Sequence, residues 1–144
     1  MSLEQRIQRL EDVEAIKKLQ ASYAHAVDQG WNGKTFQDVS DFFTEDATFE
    51  CAAFNLNAKG NKTISETLRQ GSMFQIAQHS FTNPVIEIDG DKATAKWLLW
   101  VGVNSGEANI VFESEDIKYT RTAEGWKFQS IELFVAQMLK NPQP

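Results

Sequence analysis

The chain has 144 residues, with 14 Lys and Arg against 20 Asp and Glu, a formal charge of −6, two His and one Cys. That length suits one domain with a substantial core, and 42% hydrophobic residues supply the material for it. The acidic balance, without a Lys/Arg run, repels phosphate backbones and anionic lipid, while two His and one thiol cannot make a Cys/His zinc cluster; no nucleic acid, membrane or metal is expected.

Met1 to Arg6 is charged and amphipathic and lacks the apolar run of a signal peptide. No apolar run approaches the roughly 20 residues that cross a bilayer. Together with the unpaired Cys51, this predicts a cytoplasmic protein. From Leu3 to Gln29 the residues Leu3, Ile7, Leu10, Val13, Ile16, Leu19, Tyr23, Ala26 and Val27 recur at spacings of three and four, the period of an amphipathic helix with one buried stripe. Asp12 as a cap would divide the stretch into a short helix and a longer one. Gly30 ends it, and Asn32-Gly33 is a further breaker. Thr35 to Phe43 reads as a short helix, with Thr35 and Asp38 in capping-box spacing and Phe36, Val39, Phe42 and Phe43 turned inward. Ala47 to Phe54 predicts a strand and Lys62 to Arg69 a further short helix.

After about residue 78 the period changes to two. His79 to Ile88, the turn Asp89-Gly90-Asp91, and Ala93 to Asn104 read as strand, tight turn and long strand. In the second of these, Ala93, Ala95, Trp97, Leu99, Val101 and Val103 share one face, while Leu98 and Trp100 add apolar surface to the other. Ala108 to Thr122 and Trp126 to Met138 follow as two further strands. Helices first and an antiparallel meander afterwards is an α+β plan with the sheet wrapped over the helices. Nothing in composition divides the chain, so residues 1–144 are read as one domain.

The segments Glu14-Ala15-Ile16-Lys17-Lys18-Leu19, Tyr23-Ala24-His25-Ala26-Val27-Asp28 and Phe42 to Phe49, with the ending Tyr119 to Phe128, resemble the SnoaL-like branch of the NTF2-like superfamily over nearly the whole chain. The resemblance implies a cystatin-like cone, in which a strongly curved, mostly antiparallel sheet closes around N-terminal helices and leaves a deep apolar pocket. This fold hosts dehydratases, isomerases, hydrolases and non-catalytic binding modules, so it does not itself assign an activity. Phe54, Met73, Phe74, Trp97, Trp100, Phe112 and Phe134 are candidates to line the pocket; the alternative is that these aromatics fill the core.

In the scytalone-dehydratase and bile-acid-dehydratase relatives, an Asp near the end of the long helix hydrogen-bonds a His at the start of a sheet strand. Asp28 and His79, within Gln78-His79-Ser80-Phe81, match those places, and Tyr23 matches a tyrosine of the bile-acid branch that could polarise a carbonyl. Such a pairing suits proton transfer, because imidazole titrates near neutrality and a carboxylate fixes its tautomer. The alternative pairs Asp28 with His25 on the helix surface, three residues away. His25 itself is expected to be solvated. Where the scytalone-type site has a second catalytic histidine this chain has Phe112, and the positions of its two orienting tyrosines fall near Val27 and Cys51. Cys51 is read as a small buried apolar residue.

Glu113 and Glu115 share one strand face, Asp116 lies on the other, and one of these faces is expected to be solvated. Arg121 and Lys127 flank the Ala123-Glu124-Gly125 turn as surface charges. The two-sided apolar character of Trp97 to Val101 and of Ile131 to Val135 predicts a homodimer through the outer sheet face. The combined reading is a cofactor-independent dehydratase or isomerase acting on a small hydrophobic molecule through His79, Asp28 and Tyr23. The alternative is a non-catalytic small-molecule-binding or accessory subunit.

Overall fold

The computed structural model describes residues 1–140. Its first helix, α1 (Leu3–Val27), runs without a break and is capped at its start by Ser2, whose hydroxyl accepts from Gln5 N–H while the Gln5 side chain accepts from Ser2 N–H. Asp12 does not divide it. Its carboxylate is buried and takes a two-pronged contact from Arg121 (2.7 and 2.8 Å) and a hydrogen bond from the Trp126 indole (3.2 Å). Arg121 is therefore an anchor between helix and sheet rather than a surface charge, and its guanidinium also lies over the Trp126 ring. Only the second half of the expected stripe is covered: Ile16, Tyr23, Ala26 and Val27 are buried, whereas Leu3, Ile7 and Leu10 are exposed.

Thr35 to Phe43 does not form the expected helix beyond one 3-10 turn, Ser40–Phe42. The Asp38 carboxylate instead accepts from Ser40 N–H (2.9 Å) and the Ser65 hydroxyl (2.8 Å), so local side-chain bonds displace the helical ladder. The chain continues through β1 (Phe43–Cys51), a second 3-10 turn, β2 (Leu56–Lys59), α2 (Asn61–Gly71), β3 (Ile76–Asp89), β4 (Lys92–Asn104), β5 (Ala108–Thr122) and β6 (Gly125–Lys140).

The six strands form one curved sheet in the order β2-β1-β6-β5-β4-β3. Strands β3 to β6 make the expected antiparallel meander, whereas β1 lies parallel to β6 and so makes the sheet mixed. Alternation gives β4 an inner face of Ala93, Ala95, Trp97, Leu99, Val101 and Val103, all buried. The inner half of α1 packs on this concave side together with Phe43, Phe49, Phe128 and Ile131. Strand β3 is the free edge at one side of the sheet, and α1 ends against it. No helix among the described residues is long and apolar enough to cross a membrane.

Candidate functional site

Helix α1 stops because Asp28 takes an extended backbone conformation (φ −68°, ψ 145°) while its own N–H still bonds to the Ala24 carbonyl. The next two residues tie the chain to β3. Gln29 and Ala77 exchange both backbone hydrogen bonds at 3.0 Å, and Gly30, at φ +101°, passes so close to Gln75 that an added Cβ would lie 1.9 Å from its carbonyl oxygen. Glycine is the one residue that this crossing accommodates.

The junction brings Asp28 to His79. Oδ1 of Asp28 accepts the backbone N–H of His79 at 2.7 Å and lies 2.9 Å from its Nδ1. Asp28 is buried (4% exposed), and the His79 side chain keeps 23% of its surface. A carboxylate cannot donate, so Nδ1 carries the proton in the neutral ring and Nε2 is left with its lone pair. Among the described residues Nε2 has no hydrogen-bond partner. The dyad borders a cleft of about 670 Å³ between α1 and the β3 edge, whose walls include Gln20, Ala24, Trp31, Phe81 and Trp97.

The surface alternative for Asp28 is not formed. His25 is exposed at the cleft rim, and its Nδ1 accepts from Lys34 Nζ at 3.3 Å. Tyr23 is buried (4% exposed), packed against Phe42, Phe43, Phe81 and Phe128, and is not among the residues that line the cleft. Of the seven apolar candidates, Trp97 alone faces the cleft. Trp100 and Phe112 are cross-strand partners on the outer face, because each is an odd number of residues from the inward Trp97 and Val111, and Phe134 joins them for the same reason. Phe54 sits in an exposed 3-10 turn, and Met73 (86% exposed) and Phe74 lie in the connection after α2. Cys51 is buried, as expected.

Glu113 and Glu115 share one strand face, and it is the inner one, with Glu115 3% exposed and Glu113 partly buried, whereas Asp116 on the opposite face keeps 47% of its side chain exposed. Glu115 belongs to a buried chain in which the Trp97 indole donates to Tyr119 Oη (3.0 Å), that hydroxyl donates to the Gln20 side-chain oxygen (2.9 Å), and the Gln20 amide reaches Glu115 at 3.5 Å. Burial, with a smaller contribution from the charge of Glu113, pushes the Glu115 carboxyl up to about 8, and burial pushes Glu113 to about 7. Burial, then the charges of Glu115 and Glu113, hold the Tyr23 phenol well above its ordinary value. The signal was present in the sequence: Glu113 and Glu115 share the parity of Val111, Ile117 and Tyr119, all inward residues of β5.

The sequence pattern of the SnoaL-like domain family matches residues 8–132. No curated protein matches the chain in sequence. Among solved structures, an NTF2-like protein of cystatin-like fold from Novosphingobium aromaticivorans is similar at 25% identity, with a TM-score of 0.77 over 94% of this chain and 88% of that one. A provisionally named scytalone dehydratase from the same species is similar at 18% identity (TM-score 0.79, 94% and 91%). The hexachlorocyclohexane dehydrochlorinase LinA-type3 of Novosphingobium barchaimii is similar at 16% identity (TM-score 0.80, 96% of each chain). At 18% and 16% identity the likeness shows a shared fold.

The raised Glu115 carboxyl sets a pH dependence. Its value in the unfolded chain is near 4.5 and in the folded protein about 8, so between these the folded state holds a proton that the unfolded chain has released. Its contribution to stability is therefore fully present below about 4.5 and is lost as pH rises toward about 8. Glu115→Gln, which keeps the acceptor for Gln20 without the charge, is expected to raise the melting temperature at pH 8.5 by several degrees and to change it little at pH 4.5, as read by thermal denaturation at both values.

Proposed function

The chain belongs to the SnoaL-like domain family, and we propose that it is a cofactor-independent lyase or isomerase in which His79 moves a proton of a small, largely apolar substrate bound in the cleft. One observation carries this reading: a single buried Asp28 oxygen accepts both N–H groups of His79, which fixes the ring and leaves Nε2 unpartnered beside the cleft. Nε2 then accepts the proton of an activated C–H bond, and the Asp28 carboxylate stabilises the imidazolium that forms. Loss of a leaving group from the adjacent carbon completes an elimination, whereas return of the proton to another carbon completes an isomerisation. Relatives of the same fold named as a dehydrochlorinase and a dehydratase support the first route. Tyr23, away from the cleft lining, has no part in this step.

A second reading, a pocket that holds a small apolar molecule without turnover, draws on the absence of further proton-transfer groups at the family's other positions. Phe112 faces outward, and Val27 and Cys51 are buried apolar residues. Under either reading the chain acts as a homodimer joined through the outer sheet face, where Leu98, Trp100, Ile110, Phe112, Phe134 and Leu139 leave apolar surface exposed across three neighbouring strands.

The reaction is tested by incubating the protein with β-hydroxy and β-halo carbonyl compounds in D2O and following C–H exchange and alkene formation by proton NMR. Wild type is expected to exchange or eliminate at least about 100-fold faster than a folded His79→Ala variant. Equal rates in the two would overturn the assignment, and saturable binding without exchange in either would favour the binding module. Sedimentation velocity tests the assembly: wild type is expected at twice the 16.3 kDa chain mass and Trp100→Glu at the monomer mass. A concentration-independent wild-type monomer contradicts it.

A further inference from the structure

We infer that His25 is a further catalytic residue of the proton-transfer cleft: its Nε2–H, backed by the Lys34 ammonium, takes the carbonyl oxygen of the substrate. The substrate is then a carbonyl compound whose reacting C–H lies next to that carbonyl. The inference rests on His79 as the proton acceptor and adds the group on which the released charge settles.

Placement is the first support. His25 and Asp28 are three residues apart on α1, so their side chains leave one face of the helix, with Cβ atoms about 5–6 Å apart. His25 borders the same cleft of about 670 Å³ that His79 borders from β3. Ala21 and Ala24 complete the helical wall with single methyl groups, which leaves the space in front of the helix to a ligand.

The partner at each Nδ1 decides what each ring can do. Nδ1 of His25 accepts from Lys34 Nζ at 3.3 Å, and the same ammonium donates to the His25 carbonyl at 3.4 Å. An ammonium only donates, so in the neutral ring the proton sits on Nε2. Among the described residues that Nε2 has no hydrogen-bond partner. Lys34 is held by a tight turn, in which its N–H donates to the Trp31 carbonyl at 2.9 Å and its carbonyl accepts from Gly30 N–H at 3.0 Å. Its Nζ also lies 5.7 Å from the centroid of the Trp31 ring. Lys34 stands outside the cleft, in an adjoining depression that His25 also borders, and so backs the imidazole from behind. The cleft thus holds two imidazoles of opposite kind. A carboxylate on Nδ1 makes Nε2 of His79 an acceptor, and an ammonium on Nδ1 makes Nε2–H of His25 a donor.

The two roles meet in one step. As the C–H bond breaks, its proton passes to Nε2 of His79 and its electron pair moves onto the carbonyl oxygen. That oxyanion accepts Nε2–H of His25, with the Lys34 charge behind the ring. The same electron pair then re-forms the carbonyl as the leaving group departs, or takes a proton back at another carbon. Trp31, Phe81 and Trp97 supply apolar walls for the body of the substrate. Polarising a carbonyl is the role expected of the Tyr23 phenol, which is buried away from the cleft lining; His25 is the donor that the cleft itself holds.

The test uses acetophenone labelled with carbon-13 at the carbonyl, titrated into the full-length protein and followed by carbon NMR, with exchange of its methyl protons in D2O as a second readout. In wild type the bound carbonyl signal is expected to move downfield, as it does when the oxygen accepts a strong hydrogen bond. His25→Phe is expected to lose this shift and to lower kcat for exchange at least about 10-fold, with a smaller change in KM. Lys34→Met is expected to reduce the shift and the exchange rate, and Lys34→Arg to restore both, which a merely structural role for Lys34 would not produce. His79→Ala is expected to abolish exchange and to keep the shift, so failure of the carbonyl contact and failure of the proton acceptor are read separately. No saturable binding of the ketone, no shift in wild type, or a shift and exchange rate unchanged in His25→Phe would overturn the inference.

Discussion

Burying one face of α1 under a curved sheet also buries three polar side chains, Asp12, Gln20 and Asp28, and each must find a partner there. They are spaced eight residues apart, and each is met by a different part of the sheet: Asp12 by Arg121 and Trp126, Gln20 by Tyr119 and Glu115, Asp28 by His79. Apolar packing of Ile16, Tyr23 and Val27 drives the helix into the concave face but is not directional. The three polar contacts are. They set the helix's rotation and its axial position, and so decide which residues meet β3 when the helix ends.

The functional consequence follows at the third contact. Asp28 is the residue at which helical geometry stops, so its carboxylate is released from the helix and turned toward the edge strand. The Gln29–Ala77 bonds and the close passage of Gly30 over Gln75 then hold β3 in register, which makes the dyad a product of backbone closure as much as of side-chain attraction. The cleft exists because β3 is an edge strand: α1 crosses it, and no further strand seals the gap. The same inner face carries Glu113 and Glu115 two strands further in, on β5, where burial raises their carboxyls into the neutral range. One concave surface thus combines a proton acceptor fixed by a carboxylate with a pair of carboxyls raised by burial.

Much of this was legible in the sequence, and the failures have physical reasons. The meander was clear because a period of two persists through β4 and β5, and the ends of β5 fall at the expected residues. The Asp28–His79 pair came from resemblance, since 51 residues separate the partners and no local pattern links them. Trp100, Phe112 and Phe134 have the size of pocket walls, but parity, which already sets Trp100 opposite Trp97 in the sequence, places them outside. Parity sets Glu113 and Glu115 on one face and Asp116 on the other, and the shared parity with Val111, Ile117 and Tyr119 identifies the glutamate face as the inner one. The expected helix at Thr35 gave way to the Asp38 bonds with Ser40 and Ser65, the latter on α2 and invisible to a local reading. Strand β2 is four residues long and the β1–β6 pairing is parallel and distant, so neither leaves a periodic trace.

All of the proton-transfer chemistry rests on the claim that Asp28 fixes the tautomer of His79. Two-bond nitrogen-proton NMR of the imidazoles, with His25→Asn used to assign the His79 signals, reads this directly. The account predicts that neutral His79 carries its proton on Nδ1 with a bare Nε2, and that Asp28→Ala removes this preference. A proton on Nε2 in the wild-type protein, or the same tautomer in Asp28→Ala, would contradict it.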